Sequence, residues 1–152
     1  MNELLEMEQI RQLKARYMRS LDTNDWELFG SLFTEDCIAA YSGGKYSFEG
    51  RDAIVKFMSD NLSGENMLTL HQVHTPELEF FGELRAKGTW YLEDTVINLE
   101  SKIRIYGAGI YHDEYRKING KWYFSRTGYE RTYECAEPLD PKHKVLQNMF
   151  SQ

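Results

Sequence analysis

The stretch HQVHTPELEF carries two histidines, His71 and His74, three residues apart and shortly before Pro76. Imidazoles so placed can bind a metal, move a proton or simply pack. Side chains alternate faces along a strand, so residues three apart point to opposite sides and do not share one inward metal. Neither an HExxH run nor a Cys/His cluster elsewhere supplies further ligands, and no metal is expected. That leaves proton transfer or packing. A histidine works as a base when a carboxylate holds one ring nitrogen and leaves the other free. Asp22, where the first helical pattern ends, is one candidate for that carboxylate; its ordinary alternative is a turn residue bonded to nearby backbone. Asp94, in GTWYLEDTV, shares strand parity with Trp90, Leu92 and Val96. It is therefore either an acid on a core face, needing a partner, or a solvated residue if Tyr91, Thr95 and Ile97 form the apolar face. Arg131, in GYERTYE, shares a face with Tyr129 and Tyr133 and suits a carboxylate or a substrate oxygen, or else plain solvent. Tyr17 and Tyr41 read as core tyrosines whose hydroxyls need partners.

Positioning these groups falls to the periodic segments. Between Leu4 and Leu21 the apolar residues Leu5, Ile10, Leu13, Tyr17 and Leu21 recur at helical spacing. A second short helix in TNDWELFGSLFTED, capped by Thr23 or Asn24, buries Trp26, Phe29, Leu32 and Phe33. Two short strands flank Ser42-Gly43-Gly44, and RDAIVKFMSDNL returns to helical spacing. After Met67 the period becomes two, and MLTLHQVHTPELEFFG, RAKGTWYLEDTVINLE, KIRIYGAGIYHDEYRKI and KWYFSRTGYERTYE predict four long strands. Asn119-Gly120 joins the last two as a type I′ hairpin. Helices followed by a run of strands specify an α+β fold, with helices covering one face of a curved antiparallel sheet.

Composition narrows the function. The chain has 152 residues, 41% of them apolar, which suits a single domain spanning 1–152. A net charge of -6 with scattered basic residues argues against nucleic acid as a partner. The acidic start MNELLEMEQI has no long apolar run, so neither a membrane span nor a signal peptide is expected, and the location expected by default is cytoplasmic. Cys37 and Cys135 read as two reduced thiols. His112 and His143 show no evident partner, and Lys142 and Lys144 read as a solvated tail. The 14% aromatic content, with ten tyrosines, suits a pocket as well as a core.

Taken together, LKARYMRSLDTNDW, LHQVHTPELEF, GTWYLEDTV, YHDEYRKINGKWYF and TGYERTYE resemble the SnoaL-like branch of the NTF2-like superfamily, and within it the bile acid 7α-dehydratases. The resemblance runs from about Ile10 to the NMF near the end, with WYLED and GYxRxYE its most specific parts. It implies a cone-shaped NTF2-like barrel closed by N-terminal helices. It also implies a cofactor-free dehydratase acting on a hydroxylated 3-oxo-4-ene steroid, either free or as a coenzyme A thioester. By this likeness His71 is the general base, Asp22 steadies it, and Tyr17 assists the leaving group. Asp94 and Arg131 form a further functional pair, while Tyr41, Trp90 and Tyr129 line the substrate space. A homotrimer is expected on the same ground. The same fold also accommodates isomerases, cyclases and dehydrohalogenases using a similar base, and non-catalytic binding modules.

Overall fold

The structure, a computed structural model, describes residues 1–151. The N-terminal periodicity folds as α1, Glu3–Asp22, started by the Asn2 side chain accepting from the Leu5 N–H. Its core face carries Ile10, Leu13, Tyr17 and Leu21, all buried. Leu5, expected on that face, is instead exposed, and Glu6 takes the buried position because Lys117 and the Trp122 indole satisfy its carboxylate. The second helix, α2, spans Trp26–Ser31, and its cap is Asp25 rather than Thr23 or Asn24: the Asp25 carboxylate accepts from the Leu28 N–H. Thr23 caps the carboxyl end of α1 and Asn24 takes a positive φ in the turn. Phe33, expected in this helix, opens β1. The third helix, α3, covers Arg51–Leu62 and buries Ile54 and Met58.

The strands are β1 Phe33–Tyr41, β2 Tyr46–Glu49, β3 Met67–Val73, β4 Glu77–Phe80, β5 Arg85–Asn98, β6 Ile103–Ile118 and β7 Lys121–Pro138. They form one sheet in the order β2-β1-β7-β6-β5-β3, with β4 also paired to β5. Two features depart from the sequence reading. The stretch after Met67 is not one strand but two, since Pro76 has no N–H to offer a ladder; β3 and β4 dock on successive parts of β5. And β1 joins β7 in parallel, so the sheet is antiparallel everywhere but at that seam.

The sheet curves over the helices without closing. Its bend is written in the β6–β7 ladder, which shifts register between Ala108 and Gly109 and again between Glu114 and Tyr115. At the first shift a Cβ on Gly107 would lie 2.3 Å from the Tyr133 carbonyl oxygen and one on Gly109 2.6 Å from that of Glu130, distances only glycine allows. Asn119 and Gly120 both take positive φ at the β6–β7 turn, as the hairpin requires. No helix among the described residues is long and apolar enough to cross a membrane.

Candidate active site

Strand β3 forms a sheet edge, bonded only to β5, so alternate N–H groups along it need partners from elsewhere. The partner at His71 is Asp22, the last residue of α1. One carboxylate oxygen accepts the His71 backbone N–H at 2.8 Å; the other lies 2.6 Å from His71 Nδ1 and accepts the Thr69 hydroxyl at 2.8 Å. A carboxylate that accepts at Nδ1 puts the ring proton there, and Nε2 is left with a free lone pair. The two side chains are 10% and 18% exposed. His74 lies on the other side, exposed, with only a 3.4 Å approach to Glu93. The alternation argument thus places His71 inward and His74 outward. His112, which showed no partner in the sequence, pairs with Glu130 at the surface.

Opposite His71 in the β3–β5 register stands Asp94. Trp90, Leu92 and Asp94 are all buried, whereas Tyr91 is 58% exposed, so the core face of β5 is the one bearing the acid. Its required partner is Arg131, which donates from Nη2 at 2.9 Å and from Nη1 to the second oxygen. Arg131 Nε also lies 3.1 Å from Glu134, and its guanidinium sits 5.1 Å from the Tyr129 ring centre. Burial alone would ease the proton off Arg131; hydrogen bonds and charge from Asp94 outweigh it and push the pKa up. The pair is therefore a fixed dipole beside His71, with its cation permanently charged.

Tyr17 and Tyr41 touch hydroxyl to hydroxyl at 2.9 Å, both fully buried. Burial pushes both phenols well up, so they stay protonated and can donate. The Tyr17 ring is wedged edge-on against Phe29 and Phe33, with ring centres 5.0 and 5.8 Å away. A substrate therefore reaches the Tyr17 hydroxyl only by displacing a neighbouring side chain. Tyr129 continues this wall, 5.8 Å from Tyr41 and close to Arg131. Trp90 stands apart, about 13 Å along β5 from Asp94. Its indole N–H is committed to the Tyr115 hydroxyl at 2.9 Å.

That hydroxyl leads to a cluster the sequence reading passed over. Asp113 is fully buried on β6 and accepts from Lys14 Nζ at 2.7 Å, the Thr127 hydroxyl at 2.7 Å and the Tyr115 hydroxyl at 2.9 Å. Lys14 is equally buried, its ammonium 3.4 Å from the centre of the Tyr111 ring. Desolvation lowers its pKa to about 8 against the opposing pull of Asp113. One signal was available: Asp113 falls at the same strand parity as Tyr111 and Tyr115 in YHDEY. Among the described residues no three His, Cys, Asp or Glu side chains gather in a group suited to a metal ion.

A family model described as a SnoaL-like domain matches residues 2–128. A cyclase, provisionally so named, from Gibberella zeae is 22% identical over 136 residues, 82% of this chain and 89% of that protein. Among solved structures, a provisionally named scytalone dehydratase from Novosphingobium aromaticivorans superposes with a TM-score of 0.79 at 24% identity, covering 94% of this chain and 97% of the other. The hexachlorocyclohexane dehydrochlorinase LinA-type3 from Novosphingobium barchaimii gives 0.80 at 20% identity, covering 94% and 96%. Likeness at this level of identity shows a shared fold.

Proposed function

The chain belongs to the SnoaL-like domain family, and from that premise we propose that it is a lyase that works without a cofactor, His71 serving as general base. The observation that carries this reading is the double hold of Asp22 on His71, which leaves Nε2 of a largely buried imidazole without a partner among the described residues. The substrate class we assign is a hydroxylated 3-oxo-4-ene steroid of the bile acid type, free or as a coenzyme A thioester. Nε2 takes a proton from a carbon conjugated with the ketone, and the charge spreads into a dienolate. Loss of the hydroxyl then breaks the C–O bond, the returning proton makes it water, and the product is a longer conjugated dienone. A positioned base contributes roughly 10² to 10⁴ in rate. In this reading Arg131, held by Asp94, presents its remaining donor edge to a substrate oxygen, and the Tyr17 hydroxyl, once Tyr41 swings aside, donates a hydrogen bond to the departing oxygen, which takes its proton from the His71 imidazolium. Tyr41 and Tyr129 form the apolar wall.

The relatives named as a dehydrochlorinase and a cyclase favour a second reading, in which the same base works on another acidic carbon and expels chloride or closes a ring. Product analysis separates the two. Mixing the protein with a 7α-hydroxy-3-oxo-4-ene steroid should build the longer-wavelength absorbance of the dienone; a flat trace with that steroid, both free and as the thioester, removes it as the substrate. The exposed Leu70 and Tyr91 on the outer sheet face, joined by Tyr133, which the bulge opposite Ala108 and Gly109 turns away from the face of Arg131 and Tyr129 expected for it, support assembly as a homotrimer, which sedimentation equilibrium would test.

A further inference from the structure

Helix α1 brings both Asp22 and Tyr17 to the site, so its rotation about its own axis decides whether the acid meets His71. A carboxylate about 5 Å from a helix axis moves by roughly 2 Å for a 20° rotation. That is enough to break a 2.6 Å contact. Most of the core face of α1 is apolar: Ile10, Leu13, Tyr17, Met18 and Leu21 pack against rings and aliphatic side chains. Such packing is non-directional and tolerates small rotations. Lys14 is different. It lies two turns before Asp22, about 12 Å along the helix, and its ammonium meets a single acceptor on β6. That acceptor, Asp113, cannot follow a moving helix, because Thr127 on β7 and Tyr115 on β6 fix its two oxygens from the sheet side. The Lys14 ammonium is further caged by the rings of Tyr111, Tyr17 and Phe124 at 3.4, 4.8 and 5.4 Å.

We propose that the buried Lys14–Asp113 pair is a positioning device that sets the rotation of α1 and so delivers Asp22 to His71, and that its worth lies in this alignment rather than in stability. The second half follows from desolvation: a fully buried ion pair recovers little more than it costs to take two charges out of water, so a neutral, well-packed replacement folds as well. What the replacement loses is direction. The kinetic consequence rests on His71 being the base, as proposed above, but the alignment itself can be read without any substrate.

The test uses ¹⁵N-histidine NMR, in which the imidazole nitrogen shifts of His71 report which nitrogen carries the proton. The wild-type protein should show His71 as a single Nδ1–H tautomer. The neutral pair Lys14→Met/Asp113→Asn should melt within about 5 °C of wild type. It should nevertheless show a mixed tautomer at His71, with kcat lowered by roughly 10- to 100-fold at little changed KM. Lys14→Gln alone keeps a donor toward Asp113 and should move in the same direction by less, and it decides the matter if the double variant does not fold. A His71 that remains purely Nδ1–H in the folded variants overturns the proposal. So does a tautomer that changes only together with a large drop in melting temperature and faster amide exchange throughout the sheet, which would make the pair a stability element. If instead His71→Ala retained activity, the lyase reading would fall while the tautomer result stood.

Discussion

Asp22 grips His71 at two points, backbone N–H and ring Nδ1, so strand edge and imidazole are steadied by one carboxylate from a neighbouring helix. His71→Ala should therefore lower kcat/KM by roughly 10² to 10⁴ with the far-ultraviolet circular dichroism unchanged. Asp22→Asn should cost less: the amide can still bond the strand N–H, but it can donate to Nδ1 and turn the free lone pair away from the substrate. Steady-state kinetics on the two variants checks the order; an active His71→Ala enzyme removes the base from the account.

Tyr17→Phe keeps the ring among Phe29, Phe33 and Phe124 and deletes only the hydroxyl that meets Tyr41. The Tyr41 hydroxyl is then buried without its partner, at a cost of about 1 kcal/mol in unfolding free energy. Turnover should fall severalfold with KM held, because the lost group acts on the leaving oxygen rather than on binding. Unchanged kinetics would reduce Tyr17 to packing.

Arg131→Met strands the Asp94 carboxylate, which is 4% exposed and has lost both its donors. The expected loss is about 3 kcal/mol, read as a lower urea midpoint at constant m. The double variant Arg131→Met/Asp94→Leu should recover most of it, since the penalty belongs to the orphaned charge rather than to the missing contact. Arg131→Lys should not rescue, because a point charge cannot make the two-pronged bond.

Burial raises the Cys37 thiol to about 12, with the nearby Asp113 carboxylate adding to the effect. At pH 8 it is almost wholly protonated, and a thiolate-specific disulfide reagent should label one cysteine per folded chain, Cys135. Cys37 should react only after denaturation. Rapid labelling of both in native protein would show that the β1 face opens far more readily than its packing suggests.

Much of this arrangement was legible in the sequence. Helical spacing placed Tyr17 on the buried face of α1, strand parity separated His71 from His74, and the turn chemistry of Asn119-Gly120 marked the last hairpin. These are local rules, set by a period of 3.6 or 2 and by the φ values a residue tolerates. They fell short wherever a distant partner changed the meaning of a residue. Glu6 and Lys14 look solvated by type, yet both are buried because Lys117, Trp122 and Asp113, about a hundred or more residues away, satisfy them. Asp94 could be read as core or solvent until Arg131 arrived on the same face. The parallel seam between β1 and β7 had no local signal, since strand pairing is a property of two segments and not of either.

The chain's pattern by itself determined the main helices and long strands and, away from bulges and buried ion pairs, which side chains shared a face. Only the tertiary structure decided that the acid closing α1 meets the edge of β3, because that meeting depends on how a helix is rotated against a sheet, and rotation is set by contacts between residues far apart in sequence.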